Sequence, residues 1–140
     1  MLKTLFFASI AAALVFTMAY ADQPQGKLTI PAPRTDPTNG QMMYTNYCAP
    51  CHGADGRGTG PVASALNSQP TDLTGLAKAN HGKYPENHIV SVLRFGTDAH
   101  GSAQMPVWGN IFTKMSKVNS QERDLRTANL CRYLESIQAK

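Results

Sequence analysis

The chain has 140 residues, with 13 Lys and Arg against nine Asp and Glu, a formal charge of +4. This length fits one domain, and no run of five or more Lys or Arg occurs, which excludes a nucleic-acid-binding stripe. The mild positive charge instead fits recognition of an acidic protein face.

The first 21 residues have the pattern of an export signal. Lys3 precedes an apolar run from Leu5 to Met18, and Ala19-Tyr20-Ala21 follows. This pattern predicts cleavage after Ala21 and a protein exported to the oxidising periplasm. The alternative is that the uncleaved run stays as a membrane anchor, since its length is near the lower limit for spanning.

The rest divides into a proline-rich tail over residues 22–36 and one domain over residues 37–140. Helical periodicity predicts an all-α fold with helices over 37–47, 85–95 and 120–138. Asp36 and Pro37 are expected to start the first, Gly96 to end the second, and Asn119 with Glu122 to cap the third. We expect long loops over 53–80 and 97–118, which a large buried cofactor would hold.

The most informative stretch is "CAPCH", which ends the first predicted helix. Cys48, Cys51 and His52 have four interpretations: a redox dithiol, half of a zinc site, a disulfide or a covalent haem anchor. A dithiol needs a preceding strand, a structural zinc site needs four ligands, and a disulfide leaves His52 unexplained. Attachment of one haem c uses all three residues, because two thioethers hold the ring and the next histidine binds the iron.

A haem iron in an electron carrier needs a second axial ligand. Met105 is the first candidate, because Pro106 fixes the chain beside it and a thioether opposite histidine is usual in carriers. Met115 is the next, and His100 would give a bis-histidine site. The remaining candidates are expected to pack in the core or face solvent: Met42, Met43, His81 and His88.

With these motifs the sequence resembles the class I c-type cytochromes, which are small bacterial electron carriers with a single haem. The resemblance covers residues 37–138 and depends mainly on "CAPCH" and "MPVWG", with weaker matches at "GTGP", "DLT" and "NLCRYLESI". It implies a cytochrome c fold of three or more helices around one haem, in which Gly40 and Tyr44 meet Leu130 and Tyr133. It also implies that the Pro61 carbonyl accepts from the His52 imidazole, and that Trp108 lies along the haem or fills the core.

The function expected from these residues is one-electron transfer between periplasmic or membrane redox partners. The alternatives are a haem subunit of a larger oxidoreductase complex and a small haem enzyme with an open iron site. We expect a monomer that docks on acidic redox partners through an exposed ring edge. The cations expected at that edge are Arg57, Lys78, Lys83 and Lys114. The third cysteine, Cys131, is expected to be buried and inert, the alternative being a reactive thiol or an intermolecular disulfide.

Overall fold

The computed structural model describes residues 32–96, 104–116 and 120–139. Within these ranges the chain forms six α-helices, two 3₁₀ turns and no strand, which confirms the all-α prediction. The 3₁₀ turns are Ala63–Ala65 and Leu73–Gly75. The helices, in chain order, are α1 Gly40–Tyr47, α2 Ala49–His52, α3 Leu76–Ala79, α4 Glu86–Phe95, α5 Trp108–Met115 and α6 Ser120–Ser136. The predicted export signal and most of the tail lie outside the described residues.

Helix α1 begins three residues later than the sequence predicted. The Asn39 side chain caps it by accepting from the Met42 amide at 2.8 Å, so Pro37 precedes the helix. Asp36 instead closes a turn by accepting from the Thr38 amide at 2.8 Å. The prediction of Asp36 as N-cap was wrong because Asn39, also a good cap residue, stands nearer the start of the buried face.

Helices α4 and α6 agree with the predicted elements. Ile89, Val92 and Leu93 are the buried residues of α4, and Gly96 ends it with a φ of 75°. The positive φ is the kind expected of a glycine there, but its ψ of −126° differs from the predicted left-handed cap. Helix α6 ends at Ser136, two residues before the predicted end. Its predicted cap, Asn119, lies outside the described residues.

Helix α5 was missed, because the stretch 97–118 was assigned to a loop on composition. Four apolar residues follow the helical spacing i, i+3, i+4, i+7 here: Trp108, Ile111, Phe112 and Met115. Gly109 lies among them, and a Cβ on it would be 2.7 Å from the Arg94 carbonyl oxygen of α4. This glycine therefore lets the two helix backbones approach closely. The other predicted loop, 53–80, contains both 3₁₀ turns and α3.

The core forms where α6 packs on α1, α4 and α5. Gly40 lies against α6, because a Cβ on it would be only 2.8 Å from the Tyr133 Cβ. The rings of Tyr44 and Tyr133 meet at the same crossing, with centroids 5.2 Å apart. This confirms the predicted contact of the first and last helices. The side chains below 2% exposure are Met43, Tyr44, Phe112, Leu130 and Cys131.

No helix among the described residues combines the length and the apolar character that crossing a membrane requires.

Candidate functional site

The "CAPCH" motif forms a helical turn of its own directly after α1. The amides of Cys51 and His52 both donate to the Cys48 carbonyl oxygen, at 3.1 and 2.8 Å. Gly53 then ends the turn with a φ of 82°. Because Cys48 and Cys51 are three positions apart on this turn, their side chains lie on one side of it, with His52 next in the chain.

Both thiols of the motif favour the protonated form. Burial, and next the nearby Cys51, raise the pKa of Cys48 to about 12. Burial also raises the pKa of Cys51. A nucleophilic dithiol or a zinc-binding pair needs the thiolate, which these surroundings disfavour. The described residues also contain no group of three or more His, Cys, Asp or Glu side chains placed to hold a metal ion.

The imidazole of His52 is buried and bonded to the chain that passes beside it. Its Nδ1 atom lies 3.0 Å from the Thr71 carbonyl oxygen. Such a bond fixes the orientation of the ring. The resemblance implied Pro61 as the acceptor, but Pro61 lies in an exposed turn and the bond of Nδ1 goes to Thr71. The structure therefore shows Thr71, not Pro61, as the partner of His52 Nδ1. That Pro61 takes this place in the haem-bound protein stays a prediction.

The loop that follows the motif folds back over it. The amide of Gly60 donates to the Cys51 carbonyl oxygen at 3.1 Å, and the amide of Val62 donates to the Pro50 carbonyl oxygen at 2.9 Å. The chain then returns through Pro70 and Thr71 to the side of His52. Backbone hydrogen bonds to α2 therefore hold this loop, which lacks the apolar periodicity of a helix.

A cavity of about 260 Å³ lies against both cysteines and the histidine. A second cavity, of about 140 Å³, is lined by His52, Thr71 and Met105 as well. The larger one is lined by Tyr47, Cys48, Cys51, His52, Leu66, Ser68, Gln69, Pro70, Thr71, Gln104, Met105, Pro106 and Trp108. The smaller one is also lined by His88 and by apolar side chains of the second 3₁₀ turn, α3, α4 and α6. The structure thus brings five predicted residues to one place: Cys48, Cys51, His52, Met105 and Trp108.

The sequence model of the cytochrome c family matches residues 37–137. This chain belongs to the cytochrome c family. Comparisons with curated proteins and with solved structures gave no significant match. Membership confirms the resemblance to class I c-type cytochromes, and the helical, strand-free structure of the described residues fits the all-α cytochrome c fold. The family carries covalent haem c and transfers electrons, and the chain is a cytochrome in this sense.

The residues present fit a covalently bound haem. The two thiols and the buried imidazole meet at a largely apolar cavity, and a thioether side chain, Met105, lines both parts of it. Among the described lining residues none is Asp, Glu, Lys or Arg. An uncharged, largely apolar wall suits a porphyrin face, and it disfavours the extra positive charge of ferric iron.

The other candidate ligands of this cytochrome are placed differently. Met115 is buried at the end of α5, where its sulfur lies 3.7 Å from the Tyr47 hydroxyl oxygen, and it lines neither cavity. Met43 is a core residue and Met42 is exposed, as expected. His81 is exposed, and His100 lies outside the described residues. His88 is exposed, as the sequence predicted, but its edge also lines the smaller cavity.

The four cations expected around the ring edge are all exposed, yet none lines either cavity. Arg57 lies 3.8 Å from the Asp55 carboxylate. Lys78 lies in α3, Lys83 in the turn before α4, and Lys114 in α5. The prediction that these cations rim the cavity is therefore not confirmed by its lining residues.

The lining residues that the sequence does not single out include Tyr47 and Thr71. Tyr47 is the last residue of the predicted helix 37–47, and its ring stacks on Trp108 with centroids 5.1 Å apart. Thr71 acts through its backbone, which no side-chain pattern reveals. The position of Thr71 depends on how the loop returns over the motif, which no local pattern predicts. For Tyr47 the only sequence signal is that it directly precedes "CAPCH".

Proposed function

We propose that the chain is a periplasmic one-electron carrier with a single haem, bound through Cys48 and Cys51 and axially ligated by His52 and Met105. The observation that carries the proposal is that His52 and Met105, 53 positions apart in sequence, line the same two adjoining cavities beside both cysteines. When bound, the haem supplies the iron that cycles between the ferric and ferrous states.

The chain's own residues have distinct tasks in this proposal. The thiols of Cys48, between α1 and α2, and of Cys51, in α2, would hold the ring, while the bond of His52 Nδ1 to a backbone carbonyl orients its other nitrogen. Met105 would be the second protein ligand of the iron and would deny small oxidants access to it. The uncharged wall and the thioether ligand both raise the reduction potential.

The assignment of Met105 as an iron ligand is tested by replacing individual methionines with leucine in the haem-bound protein. The oxidised wild-type protein is expected to show the weak far-red sulfur-to-iron band and to bind cyanide slowly. Met105→Leu should abolish the band and speed cyanide binding, whereas the exposed control Met42→Leu should change neither. Loss of the band in Met115→Leu but not in Met105→Leu would refute the assignment. A high-spin wild-type spectrum with fast peroxide reactivity would favour the haem enzyme instead.

The partner we propose is a redox protein with an acidic docking face. The support is the positive charge of the chain, which is +3 once Lys3 leaves with the signal (+4 minus 1). Because the exposed cations lie away from the cavity, they would steer encounter over several ångströms and make few close ion pairs. The rate constant for electron exchange with a candidate partner should therefore fall with ionic strength. A rate independent of salt between about 10 and 200 mM would contradict the acidic face, because the Debye length shrinks several-fold over that range.

Export is the remaining part of the proposal and is tested by the mass of the protein purified from the periplasm. A chain that begins at Asp22 supports cleavage after Ala21. Recovery of full-length protein in the membrane fraction would contradict it and favour the anchor.

A further inference from the structure

The last residues of the predicted tail are held onto the helices by buried polar contacts. Thr35 is only 7% exposed, although the proline-rich stretch around it was predicted to be an extended tail. Its carbonyl oxygen accepts from Arg126 Nη2 at 2.8 Å, and its hydroxyl accepts from Arg126 Nη1 at 3.1 Å. The contacts span 91 positions in sequence, so this segment is part of the tertiary structure.

Arg126 is a buried cation that is held on both sides. It is 3% exposed, and its Nε and Nη2 atoms donate to a Glu122 carboxylate oxygen at 3.1 and 2.8 Å. Burying a charged group is costly unless its hydrogen-bond donors are paired. The pairing fixes the guanidinium in one position. Glu122 therefore orients Arg126 from within α6, and Arg126 presents its remaining donors to Thr35.

From Thr35 the hydrogen bonds continue to Tyr47. The Tyr47 hydroxyl donates to the Pro33 carbonyl oxygen at 2.7 Å, and its oxygen lies 2.8 Å from the Thr35 hydroxyl. The phenol proton takes the shorter contact, to Pro33 at 2.7 Å and not to the Met115 sulfur at 3.7 Å, so the Thr35 hydroxyl donates to Tyr47. The hydrogen bonds then run from Arg126 through Thr35 and Tyr47 to Pro33. We call these four residues the tail clamp.

The clamp ends at the wall of the proposed haem cavity. The Tyr47 ring stacks on the Trp108 ring, with centroids 5.1 Å apart and an interplanar angle of 28°. Both rings line the larger cavity, which is also lined by Cys48 and Met105. A displacement of Tyr47 would therefore move one wall of the cavity, and Trp108 with it.

We propose that Pro33, Thr35 and Arg126 are positioning residues, which hold Tyr47 and Trp108 in the cavity wall beside Met105 and so would limit the access of external ligands to the bound haem. The proposal rests on the proposed function, because it takes the cavity to hold the haem. In this arrangement the segment next to the tail controls how readily external ligands reach the iron.

The test compares Thr35→Val and Tyr47→Phe with the wild-type holoprotein. Each removes one hydroxyl of the clamp and keeps the shape of its side chain. Thr127→Val is the matched control, because Thr127 is 2% exposed and its hydroxyl bonds only within α6, to the Arg123 carbonyl oxygen at 2.9 Å. The readouts are the cyanide-binding rate and the intensity of the far-red band.

Both clamp variants should bind cyanide roughly three- to tenfold faster than wild type. This is the rate change expected when the free energy of one net hydrogen bond is lost. Thr127→Val should keep the wild-type rate. Clamp variants that match Thr127→Val would overturn the proposal. If Thr35→Val does not fold, Tyr47→Phe carries the same comparison.

Failure of the proposed function has a different signature. If the wild-type protein has no haem or no far-red band, the haem assignment fails first. The clamp is then tested by acrylamide quenching of Trp108, the single tryptophan of the chain, which is 6% exposed. Quenching should increase in Thr35→Val and Tyr47→Phe relative to Thr127→Val, and equal quenching in all three would overturn the clamp.

Discussion

Replacing Gly40 by alanine tests the helix crossing on which the fold depends. A Cβ at this position would lie 2.8 Å from the Tyr133 Cβ and closer still to the Asn129 carbonyl oxygen. Carbon atoms in contact normally stay about 3.5–4.0 Å apart, so α1 and α6 would have to separate by roughly 1 Å. The rings of Tyr44 and Tyr133, tilted by 44° to each other, lie at the same crossing and would separate too.

The size of the effect follows from two opposing contributions. Overpacking of this kind costs about 1–3 kcal/mol of unfolding free energy. The better helix propensity of alanine adds up to about 1 kcal/mol to the unfolding free energy, and less at the first position of a helix. We expect Gly40→Ala to lose about 2 kcal/mol net, which for a domain of this size lowers Tm by roughly 8–16 °C.

The assay is guanidinium and thermal unfolding of the holoprotein, followed by circular dichroism. Gly75→Ala is the matched control, because Gly75 has a φ of −95° and a Cβ there would meet no atom within 4 Å. Its stability should change by less than about 0.5 kcal/mol. If Gly40→Ala is as stable as Gly75→Ala, the close contact of α1 with α6 is refuted.

Two further predictions concern the thiol of α6 and the cap of α1. Burial raises the pKa of Cys131 to about 12 from its ordinary value of 9.0, so above pH 9 only the unfolded state loses this proton. The wild type should therefore lose about 1.4 kcal/mol of stability per pH unit relative to Cys131→Ala between pH 9 and 12, and not below pH 9. A pH-independent difference in unfolding free energy would contradict this. Asn39→Ala should cost about 1 kcal/mol in the same unfolding assay, since it removes the acceptor of the Met42 amide. An unchanged midpoint would show that Asn39 does not cap α1.

The elements that were predicted correctly are those with a local signal. The buried faces of α4 and α6 repeat at helical spacing, and "CAPCH" is contiguous. Helix α5 has the same spacing, so its periodicity is also a local signal, which the Gly- and Ser-containing stretch around it obscures. The late start of α1 arose from competition between two good cap residues, Asp36 and Asn39, which only the observed hydrogen bonds resolve.

The remaining features depend on contacts between distant parts of the chain. Nothing in the sequence distinguishes the buried Arg126 from a solvated surface arginine, and the packing of Thr35 depends on it. The backbone of Thr71 reaches His52 only after the intervening loop has closed over α2. Likewise, the cations assigned to the ring edge were chosen by sequence neighbourhood, which does not determine their distance from a cavity.

The central claim is that one haem is covalently bonded to Cys48 and Cys51. The most direct measurement is the intact mass of the purified exported protein, before and after extraction with acidified acetone. The claim predicts the mass of the chain plus one haem in both samples, with the colour retained in the protein. A colourless protein, or release of the pigment into the acetone with the mass falling to that of the bare chain, would contradict it.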